Sequence, residues 1–579
     1  MPAPRRLRVA RQAPVVVWAL VVALVVLGPA LGPGFLLVRD MVWVPDLALR
    51  ADALGLGSGL PRAVPSDAVV AVLDEVVPGM LLQKLVLVLA LAAGGVGAAR
   101  LLDADRTASL VLRLVAVTAY GWNALVAERL LMGAWPVLVG YAVLPWLLDA
   151  ARRWRAEGRL PPALLVLVPL GCLSASAGLA TALAVLAGAA GRGRTLKAAL
   201  LVAAANAPWL VAGLLHASAA TSDPAAAEVF ALRGEGSVPA PLAALTLGGI
   251  WNTAVQPDTR TGALGWVALV ALLALAAVGA RPWWRRTPSR DRLALLVCWA
   301  VGWGLAVLTW LAPALVGWAS EHVPGAGVVR DGARTLVLCA PLLVVLVAEG
   351  VRALAGRVPR ERVARAALAI GAVLLPVALL PDLALGVDHR IAPADYPADY
   401  DRARDVVAEH GHGDVLVLPL SSYRAPTWNH RHLVLDPIGR YLARDYVASD
   451  VLVIDGVPLS GEDPRVGDAA RALAEPTPGE RAAALGRIGI GVVVVDPDAP
   501  GTAPPDVAGD RLLESEVLQV VALDDVDRRD VQTSWQVAMA AAWLAYTGLL
   551  ALWPLLVVRA RRGRAARTAL PSPRRVTGE

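Results

Sequence analysis

The chain has 579 residues, is 57% hydrophobic and has a mean hydropathy of +0.58, which excludes an ordinary soluble domain. Its net charge of +6 is concentrated in short loops and the tail, a pattern that orients helices in a bilayer and does not point to nucleic acid. Cys172, Cys298 and Cys339 sit singly in apolar runs, which argues against a disulfide framework or a zinc site and makes them small core residues.

In chain order, Arg5, Arg6, Arg8 and Arg11 precede an apolar run over 13–38. That run is longer than a signal-peptide core, so it predicts an uncleaved anchor with the N-terminus in the cytoplasm and Asp40 emerging outside. Further spans are expected at 80–99, 108–126, 133–149, 161–176, 177–190, 197–215, 263–280, 293–314, 334–355, 365–386 and 534–558. Within 161–190, Ser174-Ala175-Ser176-Ala177-Gly178 is a candidate break. Arg152, Arg153, Arg155 and Arg159 precede this region, while Arg192, Arg194 and Lys197 follow it, so both ends are cytoplasmic and two passes are required. With about twelve spans, every arginine-rich loop falls on one side, including Arg281–Arg292 and Arg352–Arg365. The expected organisation is a multi-span domain over 1–386, an extracytoplasmic domain over 387–532, a last span over 533–559 and a basic, disordered cytoplasmic tail over 560–579. The fold class is mainly α, a polytopic protein of the cytoplasmic membrane, with an added α/β domain outside.

The outer side receives the loops 39–79, 122–134, 216–262 and 315–333 and the insert 387–532. In the insert, 414–419, 451–454 and 491–496 read as buried strands, and 400–409 and 468–485 as helices. All seven histidines lie in outer segments; the spacers in His410-Gly411-His412 and His430-Arg431-His432 are not those of a metal motif. Gly461-Glu462-Asp463-Pro464-Arg465 reads as a turn. With no nucleophile elbow and no P-loop, a membrane hydrolase or ATP-driven pump has no support.

Three outer stretches carry candidate chemistry. Val38-Arg39-Asp40-Met41-Val42-Trp43-Val44-Pro45-Asp46 places two carboxylates and an arginine where the first span leaves the membrane. Six residues apart, Asp40 and Asp46 would lie about 240° apart on a helix or about 20 Å apart on an extended chain, so they form no obvious acid–base pair. The segment 121–136, with Glu128 and Arg129 between tryptophans, has the spacing of a helix lying in the interface. Arg330 and Arg334, flanking Asp331, would share one face at a helix N-terminus and form a phosphate clamp.

Together these features resemble the GT-C class of polytopic membrane glycosyltransferases, in particular large actinobacterial members that build the cell envelope. The resemblance rests on Arg39-Asp40-Met41-Val42-Trp43-Val44-Pro45, on Glu128-Arg129-Leu130-Leu131-Met132-Gly133, on Arg330-Asp331-Gly332, and on an outer domain ending in Leu485-Gly486-Arg487-Ile488-Gly489-Ile490-Gly491-Val492-Val493-Val494. The insert also resembles that of YfhO-like membrane proteins. The resemblance implies a polyprenyl-phosphate sugar donor, an envelope glycan or glycolipid acceptor, membrane lipid as surroundings, and transfer on the outer face. It assigns Asp40 as base, with Asp46 second, and Arg39, Arg129, Arg330 and Arg334 as candidate donor-phosphate ligands. Glu128 and Asp331 are expected to line the substrate site. Many members carry a close acidic pair in the first loop, and this sequence does not. No cofactor is read from the residues, and a divalent cation is left open. The alternatives are a non-catalytic scaffold or glycan-binding relative and a lipid-linked sugar transporter; mid-span charge is scarce, which counts against transport.

Overall fold

A computed structural model describes residues 5–568 apart from 60–61, 103–107, 218–222, 360, 411, 455–456, 460, 462 and 500–502. The arginine side chains at both ends of the chain, and Gly411 and Glu462 of the two outer motifs, lie outside the described residues.

The first helix, Arg5–Leu27, is shorter than the 13–38 expected. It stops where Gly28 adopts φ +47°, packed so closely on the chain that a Cβ would come within 2.8 Å of Leu385 Cα. Pro29 follows, and Phe35–Leu36 then pairs antiparallel with Pro393–Ala394, so the first outer loop is tied to the start of the insert. Among the described residues, eight helices are long and apolar enough to cross a membrane, and the pair Gly332–Leu338 and Ala340–Ala355, bent by 49°, can make a ninth.

That corrects the expectation of about twelve spans. Trp135–Glu157 is long, but Pro145, three tryptophans and a charged last turn dilute its apolar run. Leu164–Gly171 and Ala175–Ala189 have 8 and 15 residues, rises of about 12 and 22 Å, short of the roughly 30 Å of a bilayer core. The break between them falls at the expected serines, where Ser174 caps the second helix by accepting from Ala177 N.

Small residues set the helix spacing. Ala263–Arg286 crosses Ala340–Ala355 at Gly279 and Gly350, where a Cβ would lie 2.0 Å from Leu346 O and 2.1 Å from Leu275 O respectively. Backbones this close require glycine on both helices.

The insert forms a five-stranded sheet in the order Asp510–Glu514, Gln519–Ala522, Ile490–Val495, Asp414–Leu418, Tyr446–Val447. The last three strands are parallel and the first two antiparallel. Both faces are covered, so its central strands are apolar apart from Asp414 at one end. Val415, Val417, Val492 and Val494 join the core shared with the membrane helices. Leu416, Leu418 and Val493 face a second core under Pro464–Leu473 and Pro478–Arg487.

Three expectations are corrected here. The single helix over 468–485 is two helices, because Pro476 and Pro478 interrupt it and Thr477 with Glu480 forms a capping box. The stretch 451–454 is not a central strand; Leu452–Ile454 forms a separate hairpin with Val457–Leu459, and Val453 is exposed. The final helix continues to Thr568, so the disordered tail expected from 560 does not begin there.

Candidate active site at the outer seam

The stretch 38–46 is neither helix nor free loop. Arg39 takes φ +46°, and Val38 bridges back to Met41, closing a tight turn. Two contacts hold that turn. Beneath it, Asp40 N donates to Met132 O at 3.2 Å, and Gly133 packs so closely that a Cβ would sit 2.2 Å from Met41 N. Above it, Arg39 N donates to Leu433 O at 2.6 Å and Leu435 N donates to Arg39 O at 2.8 Å. The turn is therefore clamped between the 128–133 connector and the outer domain.

Asp40 is half-buried at this seam, and Tyr423 of the outer domain donates its hydroxyl to Asp40 Oδ1 at 2.5 Å. Burial, and after it the nearby Asp40 charge, raise the Tyr423 pKa well above its ordinary value, so the phenol remains a donor. Further staples fix the seam. Arg50, buried, donates to Gly439 O at 3.0 Å and Leu442 O at 3.1 Å, and Arg440 pairs with Asp67 at 2.8 Å. Asp46 has a different environment: its exposed carboxylate pairs with Arg404 on Ala398–Glu409.

Ala124–Leu131, expected to lie in the interface, is instead buried at all eight positions, covered by the outer loops. Asn123 starts it by accepting from Val126 N. Arg129 is completely buried and donates from Nη1 to Asp331 Oδ2 at 3.3 Å, while its Nε and Nη2 have no hydrogen-bond partner among the described residues. Arg334 also reaches Asp331 Oδ2, at 2.9 Å. Burial alone would raise the Asp331 pKa; Arg129 and then Arg334 outweigh it, and the carboxyl lies below its ordinary range.

Arg330 and Arg334 do not share an α-helical face. Gly332–Leu338 is a 3₁₀ segment, and Arg330 lies before its capping residue Asp331. Arg330 instead stacks on Phe230 at 4.9 Å. The clamp expected from 3.6-residue periodicity is thus split between two partners.

The residues missed in the sequence are Glu235 and Arg260. Both are buried and paired, with Arg260 Nε 2.9 Å from Glu235 Oε2 and Thr246 as a further acceptor for the guanidinium. Glu235 interacts electrostatically with Glu128, whose Oε1 accepts from Gly249 N at 3.2 Å. The outer loop 216–262 therefore contributes a charged layer beside the connector. A cleft of about 490 Å³ opens next to it, with Asn123, Thr246 and Arg260 among its polar lining and Leu272, Val347 and Leu379 among its apolar walls. Nothing in the spacing of Glu235, Thr246 and Arg260 announces this layer. Its only sequence signal is charge in a loop otherwise rich in Ala, Leu and Gly.

Among the described residues, no three His, Cys, Asp or Glu side chains converge as a metal site would require.

Neither a protein-family model nor a curated protein matches this chain. Two of the solved structures similar to it are these. One is the cryo-EM structure of arabinofuranosyltransferase AftD from Mycobacteria, with a TM-score of 0.52 and 18% identity over 90% of this chain and 40% of that one. The other is a class from a point mutant of the same protein, with a TM-score of 0.51 and 17% identity over 90% of this chain and 42% of that one. The likeness is one of overall fold. This chain spans about two fifths of the length of those structures, and the identity is low enough that its chemistry must be argued from its own residues.

Proposed function

We propose that the chain is a membrane glycosyltransferase that moves a sugar from a polyprenyl-phosphate donor to an envelope glycan or glycolipid acceptor on the outer face of the cytoplasmic membrane. The observation that carries this reading is the placement of Asp40. Its half-buried carboxylate, oriented by Tyr423, lies in a turn clamped between the connector and the outer domain. In the proposed reaction Asp40 takes the proton of an acceptor hydroxyl. That oxygen attacks the anomeric carbon, the bond from carbon to the phosphate oxygen breaks, and polyprenyl phosphate leaves. Guanidinium N–H donors oppose the charge on the leaving phosphate. The unpartnered nitrogens of buried Arg129 support that role. The neighbouring cleft is suited to a prenyl chain, with an apolar wall and Arg260 at its polar end. Asp46 takes the lesser role of steadying the outer domain through Arg404. No step is assigned to a cation.

Arg330 and Arg334 favour a second reading. Both are already engaged, by Phe230 and Asp331, as in a relative that keeps the architecture to bind a glycan without transferring it. The deciding experiment compares envelope glycans and accumulated lipid-linked sugars in a deletion strain complemented with wild type or with Asp40→Asn. Loss of transfer with donor accumulating supports the transferase; equal rescue removes Asp40 as base and leaves the binding relative.

A further inference from the structure

At the other end of the helices is a second cleft, of about 770 Å³. It collects the last turns of Gly79–Leu102, Trp135–Glu157, Ala263–Arg286 and Ala340–Ala355 around the first turn of Ser289–Leu311. These are the arginine-rich ends, which charge asymmetry assigns to the cytoplasm, and the inference rests on that orientation.

Among the described residues, the charge around this cleft is unbalanced. Asp149 is shared by Arg152 and Arg153; Glu349 by Arg286 at 2.9 Å and Arg352 at 3.4 Å; Asp291 is paired with Arg155. Five guanidiniums there thus share three carboxylates. Burial first, and then repulsion from Arg290, Arg152 and Arg194, lower the Arg155 pKa.

Donors are also left over. Trp283 is 4% exposed and lines the cleft, yet its indole Nε1 has no hydrogen-bond partner among the described residues; the same holds for Nε of Arg352, also on the lining. Buried N–H groups without partners are rare and call for an acceptor. Leu101, Leu102, Leu148, Leu295 and Val345 supply an apolar wall beside them.

We infer that this cleft binds the phosphodiester headgroup of an anionic phospholipid of the cytoplasmic leaflet. The guanidinium surplus and the two leftover donors would take its oxygens, and the apolar wall its first acyl carbons. A free phosphate shares the oxygen chemistry but leaves the apolar wall unused.

The test uses the full-length protein purified in a neutral detergent, with bound lipid counted by native mass spectrometry and thermal unfolding followed alongside. Phosphatidylglycerol, phosphatidylcholine and inorganic phosphate are added in separate arms. Phosphatidylglycerol is expected to bind and raise the unfolding midpoint, and the other two to do neither. Trp283→Phe keeps the ring and removes the donor, and Arg352→Gln removes the charge; each is expected to weaken phosphatidylglycerol binding on the order of tenfold. Arg357→Gln, at an exposed site outside the lining, is expected to bind as wild type. Equal binding of both lipids overturns the proposal, as does reproduction of the stabilisation by inorganic phosphate. If Arg352→Gln does not fold, undiminished binding by Trp283→Phe still overturns it.

Discussion

Gly133→Ala tests whether the connector positions the candidate base. Gly133 has φ +73°, and a Cβ there would lie 2.2 Å from Met41 N and 2.4 Å from Val38 O. Ordinary contact begins near 3.4 Å, so the turn carrying Asp40 would have to move by about 1.2 Å. The left-handed backbone adds roughly 1–2 kcal/mol of its own. A displacement of about 1 Å in a positioned reacting group costs about a hundredfold in rate. Gly158 supplies the control. It has nearly the same geometry, φ +68°, at the end of Trp135–Glu157, with nothing within 4 Å of the Cβ it lacks. Gly158→Ala therefore incurs the backbone cost without the clash. Transfer from a lipid-linked donor would be measured in membranes holding matched amounts of each protein, with thermal unfolding recorded in detergent. Gly158→Ala is expected to lose only the backbone cost in stability and Gly133→Ala more, and Gly133→Ala alone to lose about a hundredfold in transfer. Equal transfer by the two variants would refute the idea that the connector sets the position of Asp40.

Tyr423→Phe removes a 2.5 Å donor from Asp40. It is expected to lower transfer by about tenfold while leaving donor binding intact, read as kcat against KM. Glu235→Gln leaves the Arg260 charge uncompensated in a buried layer, so stability is expected to fall by about 3–5 kcal/mol in denaturant unfolding. Asp331 has a depressed folded pKa. Its contribution is thus complete above the ordinary carboxylate pKa and lost as pH falls through the lower folded value. Wild type is expected to lose unfolding midpoint below about pH 4 more steeply than Asp331→Asn; parallel pH profiles would show that the Arg129–Asp331 pair carries no such linkage.

Features set by local chemistry were legible in the sequence. The central strands carry unbroken β-branched and leucine runs over 415–418 and 492–495, the pattern expected of strands covered on both faces. The serines at 174 and 176 marked a helix break because a hydroxyl can cap the next helix as well as end the last. Features set by partners distant in the chain were hidden. The first span looked eleven residues too long at its end because 28–38 is apolar for another reason: it packs beneath the insert, hundreds of residues later. The connector looked interfacial for the same reason; its polar face is covered by a loop whose path the sequence does not give.

Asp40 combines both kinds of information. Its outer-side placement is an expectation from arginine counts, but its environment comes from Met132 and Tyr423, 92 and 383 residues away in the chain. Two independent units thus meet on one turn, the connector fixing its backbone and the outer domain its carboxylate. In such an arrangement the outer domain is more than a cap. Tyr423 and the 433–435 strand hold the turn from above, so a shift of that domain must either carry Asp40 with it or break the bond to Oδ1. An acceptor glycan that docks on the outer domain could thereby alter the position of the base without touching it. Tyr423→Phe should uncouple the two, leaving acceptor affinity unchanged while transfer loses its dependence on acceptor length. If length dependence survives in that variant, the coupling runs through the backbone bonds at Arg39 instead.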